Sequence, residues 1–170
     1  MIAVIQRVRR ASVTVGSHIS AQIGQGLVML LGVARGDTGQ DVDFMVKKVS
    51  RLRIFPDTQS KMNYALQDIN GEILVVSQFT LLANTDKGRR PSFESAASPE
   101  EARVRYQEVL EKFQALGLAI QGGIFGATTV VSLENDVPVT LILDSRGRKA
   151  VNMVKDSLPG TDTIIQSEAP

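Results

Sequence analysis

The chain has no cysteine and no tryptophan, and a single histidine, His18, among its 170 residues. Without cysteine there can be no thiolate nucleophile, no disulfide, no iron–sulfur cluster and no cysteine-ligated zinc. With one imidazole, a Ser-His-Asp arrangement could form only through His18. That residue follows Gly16 and Ser17 in a stretch that reads as a hairpin turn. Metal ligands are not clustered, and no metal or other cofactor is expected. Charge of one sign is also scarce, at a net +1. An overall electrostatic field therefore cannot hold a polyanion, DNA is not an expected partner, and any RNA contact must come from local basic patches. No apolar run reaches membrane-spanning length, and the first residues lack the basic-then-apolar pattern of a secretion signal, so a cytoplasmic protein is expected.

What is present fits one globular domain. An apolar share of 43% and a charged share of 22% are ordinary for a soluble fold. Residues 2–8 and 12–15 are short, β-branched and partly alternating, and 26–34 (GLVMLLGVA) is a continuous apolar run of strand length. From Val42 the apolar residues Val42, Met45, Val46, Val49 and Leu52 follow helical spacing behind a Thr38/Asp41 capping box, which predicts a helix ending near Arg53. Phe55-Pro56-Asp57 opens a polar loop. The segment 72–82 (EILVVSQFTLL) then carries the strongest strand signal, and 82–97 reads as a surface loop.

A second helix is predicted from Ser98, with Pro99 in its first turn and Glu101 completing a capping box. Ala102, Tyr106, Val109, Leu110, Phe113 and Leu116 form its apolar stripe ahead of Gly117. Residues 129–133 and 139–143 predict two further strands joined by a turn at 134–138, and a polar tail is expected over 159–170. The elements together predict an α+β fold in a single domain over 1–158: a largely antiparallel, barrel-like pair of β-sheets with two main helices.

Three segments could carry chemistry. Ser77-Gln78-Phe79-Thr80-Leu81 puts three polar side chains at the end of a buried strand. Either they satisfy neighbouring backbone, or the strand end points N–H groups at a developing oxyanion. Asn135-Asp136-Val137-Pro138-Val139-Thr140 reads locally as a turn. Gly122-Gly123-Ile124-Phe125-Gly126 permits tight turns but lacks the setting of a nucleotide-phosphate loop. Lys87, Arg89 and Arg90 share one loop and Arg7, Arg9 and Arg10 crowd the end of the first strand. Such groups are either solvated surface or sequence-independent phosphate contacts.

Several ordered motifs resemble the D-aminoacyl-tRNA deacylase family. They are Ile5-Gln6-Arg7-Val8, Leu52-Arg53-Ile54-Phe55, Lys61-Met62-Asn63, Ser77 to Leu81, Gly88-Arg89-Arg90-Pro91-Ser92-Phe93, Phe125-Gly126-Ala127, and Asn135-Asp136 with Pro138-Val139-Thr140. The resemblance runs from Met1 to about Asp144. It implies the fold of that family and a cytoplasmic homodimer, with an active site at the subunit interface, that hydrolyses the ester joining a D-amino acid or glycine to the terminal adenosine of tRNA. Ser77, Gln78, Phe79 and Thr80 would form the catalytic segment, the oxyanion held by backbone N–H groups near Phe79 and Thr80. An older reading makes Thr80 a nucleophile.

Val137 and Pro138, with Gly126 and Ala127, would form the wall that rejects L side chains. Arg7, Lys87, Arg89 and Arg90 would contact tRNA. In the family the counterpart of Val137-Pro138 is a Gly-Pro pair joined by a cis bond, so Val137 departs at the filter itself, and Thr128 and Thr129 depart just after Phe-Gly-Ala. The alternatives are a non-catalytic acceptor-end binding protein on the same fold and a hydrolase of small esters that needs no RNA.

Overall fold

The computed structural model describes residues 1–86 and 88–147. Lys87 and the expected tail over 159–170 lie outside the described residues. The first strand, β1 (Ile2–Val15), is continuous where the sequence suggested two pieces. Strands β2 (His18–Ile23) and β3 (Gly26–Gly32) run back along it, with Ala11 opposite Ile23, Val8 opposite Gly26 and Ile2 opposite Gly32 in one register that shifts by a residue between Val13 and Thr14, so that Val15 stands opposite His18. They are in effect one broken strand, and the long hairpin bends where residues 24–25 interrupt it. Gly26 lets the Glu72 backbone approach closely, because a Cβ there would lie 1.8 Å from the Glu72 carbonyl oxygen.

Beyond β3 the order is mixed. β6 (Glu72–Ser77) pairs parallel to β3, and β7 (Ala119–Gly122) pairs parallel to β6. The expectation of a largely antiparallel fold therefore holds, with two parallel pairings at this end. The parallel pairings follow from helical crossovers, a long-range arrangement that strand periodicity does not encode. β7 itself, short and half-polar, was not expected. The sheet order runs β2-β1-β3-β6-β7, yet β2 also packs against β6 and β7, so the sheet curls into a nearly closed barrel. Val8, Val13, Ala21, Ile23, Val28 and Leu74 fill its interior. A second, two-stranded sheet joins β4 (Phe55–Pro56) to β5 (Met62–Tyr64), in the region read as a polar loop.

Both helices lie on the opposite face, over Ile5, Met29, Leu31, Ile73 and Val75. Helix α1 (Gly39–Ser50) has the expected capping box from Thr38 and Asp41 and buries Val42, Met45, Val46 and Val49. Helix α2 (Pro99–Ala115) starts at Ser98 with the Glu101 box and buries Ala102, Tyr106, Val109 and Phe113. Leu116 differs from expectation: it caps the helix and is 46% exposed. Among the described residues no helix is long and apolar enough to cross a membrane.

The last strand, β8 (Thr129–Asp144), pairs antiparallel with β1 along nearly its whole length. Two strands joined by a turn were expected here. Instead one strand carries a bulge: Thr140 faces Gln6 and Asn135 faces Val8, so β8 advances five residues where β1 advances two, a surplus of three. Turn-forming residues are used to loop out of a ladder that resumes on both sides, with a second register shift between Val8 and Arg10.

Candidate functional site

β6 ends at Ser77, five residues short of the strand expected from its apolar run. Gln78 still donates its N–H to the Leu31 carbonyl at 2.8 Å, then the chain tightens into a 3-10 turn over Phe79–Leu82. The turn is pinned from inside by buried Leu82 and lies close against β3. A Cβ on Gly32 would come within 3.0 Å of the Gln78 carbonyl and 3.2 Å of the Leu81 Cβ. Leu81 donates to Gln78 O at 3.3 Å and Ala83 to Thr80 O at 3.1 Å. The amides of Phe79 and Thr80 open the turn, where no earlier carbonyl is in reach. Among the described residues no backbone acceptor takes them.

The side chains of Phe79 and Thr80 are exposed. Phe79 is 55% exposed and meets Phe93 edge to face at 5.0 Å between ring centroids. The Gln78 side-chain amide donates to the Thr80 hydroxyl at 2.5 Å. An amide nitrogen is not basic, so this neighbour cannot activate the hydroxyl by taking its proton. Phe93 closes the loop that carries Arg89 and Arg90. Asn84 and Ser92 exchange backbone hydrogen bonds of 2.8 and 2.9 Å across it, and both arginines are exposed.

Gly126 and Ala127 follow β7 in the next loop. Phe125 lies at 5.7 Å from the Tyr106 ring, with the Arg103 guanidinium 5.2 Å from its centroid. Gly126 has φ +78°.

Val137 and Pro138 occupy the bulge of β8 on the strand edge that β1 leaves free. Val137 is 70% exposed and has φ +40°, a region that β-branched residues avoid. Among the described residues no peptide bond is cis, so Val137-Pro138 is trans, unlike the family pattern carried by the resemblance.

Arg7 requires a correction. Expected on the surface as a phosphate contact, it is 4% exposed, because the alternation of β1 turns it with Ala3 and Ile5 toward the helix-covered face. Its Nη1 donates to Ile54 O at 2.5 Å and its Nε to Asp136 O at 3.3 Å, with the Asp136 carboxylate at 3.1 Å. Arg9 reaches the other carboxylate oxygen at 3.4 Å. The bulge is thus bolted to β1 through Asp136, a role that sequence spacing did not reveal. Beside it, the side-chain oxygen of Asn135 is buried without a hydrogen-bond partner among the described residues.

Among the described residues, no hydrogen bond, ion pair or ring contact joins Val137 or Pro138 to the Ser77–Thr80 turn. A cleft of about 280 Å³ touches the turn only at Leu81 and Leu82 and runs on past Asn84 and Asp86 to Arg146. A larger hollow, about 460 Å³, sits at the hairpin bend near Arg10, Gln22 and Glu134 and includes none of the candidate site residues. Among the described residues no group of three acidic or histidine side chains could hold a metal ion.

A family profile described as D-Tyr-tRNA(Tyr) deacylase matches residues 4–144. The chain is similar to the D-aminoacyl-tRNA deacylases of Sulfurihydrogenibium sp. (52% identical over 146 residues, 86% of this chain and 99% of that protein) and Dehalococcoides mccartyi (53% over 148 residues, 87% and 97%). Among solved structures it is similar to a c-Myc DNA unwinding element binding protein, with TM-score 0.80 and 42% identity over 85% of this chain and 98% of that one. A probable eukaryotic D-amino acid tRNA deacylase shares the fold at TM-score 0.70 and 16% identity, covering 84% of this chain and 97% of its own.

Proposed function

The chain belongs to the D-Tyr-tRNA(Tyr) deacylase family, and from that membership we propose that it hydrolyses the ester joining a D-amino acid or glycine to the 3′-terminal adenosine of tRNA, in the cytoplasm, as a homodimer. The observation that carries the reading is the turn at the end of β6, which presents the free amides of Phe79 and Thr80 at the surface on a rigid, buried support.

An aminoacyl ester is already activated, so modest help suffices. Water adds to the carbonyl carbon, and the negative charge that develops on the carbonyl oxygen is received by the Phe79 and Thr80 N–H groups. The C–O bond to the ribose then breaks, and the departing ribose oxygen takes up a proton, with the neighbouring 2′-hydroxyl assisting. Ser77 and Gln78 position the adenosine and carbonyl. Thr80 acts by its main chain, since the group bonded to its hydroxyl is an amide rather than a base.

The second wall comes from a second copy. Val137 and Pro138 stand exposed in the bulge of β8, a strand that also exposes Val130 and Ile142, and such apolar surface is suited to burial against another protomer. There the partner's Pro138 and the carbonyls beside it would close on the substrate α-carbon opposite Gly126 and Ala127. A hydrogen fits on that side and an L side chain does not, so selectivity arises by rejection. Arg89 and Arg90 would hold acceptor-end phosphates, with the salt sensitivity such contacts carry.

The test is hydrolysis of matched D-, L- and glycyl-tRNA alongside sedimentation of the protein. Release from the D and glycyl substrates by a dimer, with the L substrate spared, is expected. Binding of tRNA without release of any amino acid would replace this reading with that of an acceptor-end binding protein.

A further inference from the structure

Tyr106 of α2 is 4% exposed, and the catalytic scheme above makes no use of it. Its hydroxyl lies 2.9 Å from the Val75 carbonyl oxygen and 2.9 Å from that of Gly123. Burial pushes this hydroxyl up to about 12, against the opposing hydrogen bond to Gly123, so it stays a neutral donor across the working pH range. It has one proton for two carbonyls. Val75 O already receives the Gly123 N–H at 2.9 Å, whereas among the described hydrogen bonds Tyr106 is the partner of Gly123 O.

The location matters more than the count. Val75 stands two residues before Ser77, on the strand that delivers the catalytic turn. Gly123 is the first residue after β7, and Phe125, Gly126 and Ala127 follow it. β6 is separately fixed by its pairing with β3 up to Ser77, opposite Leu31. The element free to shift is therefore the 123–127 loop. α2 holds that loop at two points, through the Tyr106 hydroxyl on the Gly123 backbone and through the Phe125 ring packed between Tyr106 and Arg103. The approach is close enough that a Cβ on Gly122 would meet the Tyr106 oxygen at 3.1 Å.

We propose that Tyr106 is a positioning residue that sets the distance between the catalytic turn and the Gly126–Ala127 side of the chirality filter, and so governs discrimination between amino acids. This rests on the deacylase reading. A loop displaced by a fraction of an ångström widens the space for a side chain on the α-carbon while leaving adenosine contacts intact.

The experiment compares the wild-type protein with Tyr106→Phe, which keeps the ring and deletes the hydroxyl. At a temperature where both are fully folded, kcat on D-aminoacyl-tRNA should fall by roughly fivefold to tenfold with KM unchanged, the usual reach of one buried hydrogen bond. The preference for D over L should shrink by a comparable factor. Hydrogen exchange at the Ala127 amide should quicken. Unchanged kcat and preference would overturn the proposal, as would an equal loss on D-, L- and glycyl-tRNA. If the variant does not fold, Phe125→Leu loosens the same loop from its ring contact and must reduce the preference; a preserved preference overturns the proposal. If the wild-type protein hydrolyses none of the three substrates, the deacylase reading fails. The tether is then judged by Ala127 exchange, and an unaltered rate overturns it.

Discussion

The two candidate walls of the site are built on opposite principles. The Ser77–Leu82 wall leaves a strand buried in the middle of a sheet, keeps one more ladder bond through Gln78, and is nailed down by Leu82 and by contact with Gly32. The Val137–Pro138 wall loops out of an edge strand with three surplus residues, 70% of Val137 in solvent and its φ at +40°. Preorganised donors are most effective when they cannot relax, so they belong on the core. A surface proposed to meet another protomer is suited to an edge strand, where its rigidity must come from a bolt. That bolt is Arg7.

Breaking the bolt should have the largest effect. Arg7→Met keeps much of the aliphatic volume but leaves the Ile54 carbonyl and half of the Asp136 ion pair without their donor. Removing one partner of a buried pair costs about 3–5 kcal/mol. The midpoint of thermal unfolding should drop by roughly 10 °C for a chain of this size, and deacylation should fall even at temperatures where the fold survives. A variant as stable as the wild type would show that the bulge is fixed by other means and would erase the contrast between the walls.

Relaxing the strain at Val137 should have a smaller effect of opposite sign. A β-branched residue at positive φ costs on the order of 1–3 kcal/mol, and glycine returns roughly 0.5–1 kcal/mol of that as chain entropy. Val137→Gly should therefore gain about 1 kcal/mol, seen as a rise in the denaturation midpoint, and should hydrolyse D-aminoacyl-tRNA several-fold faster because the isopropyl group no longer crowds the filter. Equal rates for the two proteins would mean that the valine side chain stands clear of the substrate.

The sequence was unequally informative about these walls, for a physical reason. Both helices were readable to within a few residues because a capping box and a 3.6-residue stripe are local signals, and Thr38/Asp41 and Ser98/Glu101 form as expected. The turn after β6 was also visible in part: three polar residues after EILVV mark a strand about to stop, although the stop falls at Ser77 rather than Leu82. The β8 bulge was misread as a turn between two strands, since Asn135-Asp136-Val137-Pro138 has turn chemistry and only pairing with distant β1 makes it a bulge. Arg7 was misassigned for the same reason. Its neighbours Arg9 and Arg10 are exposed, and what distinguishes it is the parity of a strand and an aspartate 129 residues away. Family resemblance located residues that local patterns could not, but not the jobs the packing gives them.

The smallest predicted effect is the one that sharpens the comparison most. If the rigid wall works through its main chain, the Thr80 side chain is replaceable. Its hydroxyl receives a hydrogen bond from the Gln78 amide and has no base beside it, so Thr80→Ala should lower kcat only about two- to threefold, the loss of one exposed orienting bond. Thr80→Val, which also lacks the hydroxyl but keeps the branched shape, should behave alike, and neither should trap a covalent acyl-enzyme in rapid-quench analysis. Loss of activity by more than about a thousandfold in both variants, the magnitude expected when a nucleophile is removed, would make the hydroxyl the reacting group. The turn would then be a support for a side chain, and the two walls would no longer divide the work between fixed main-chain donors on one side and a steric gate on the other.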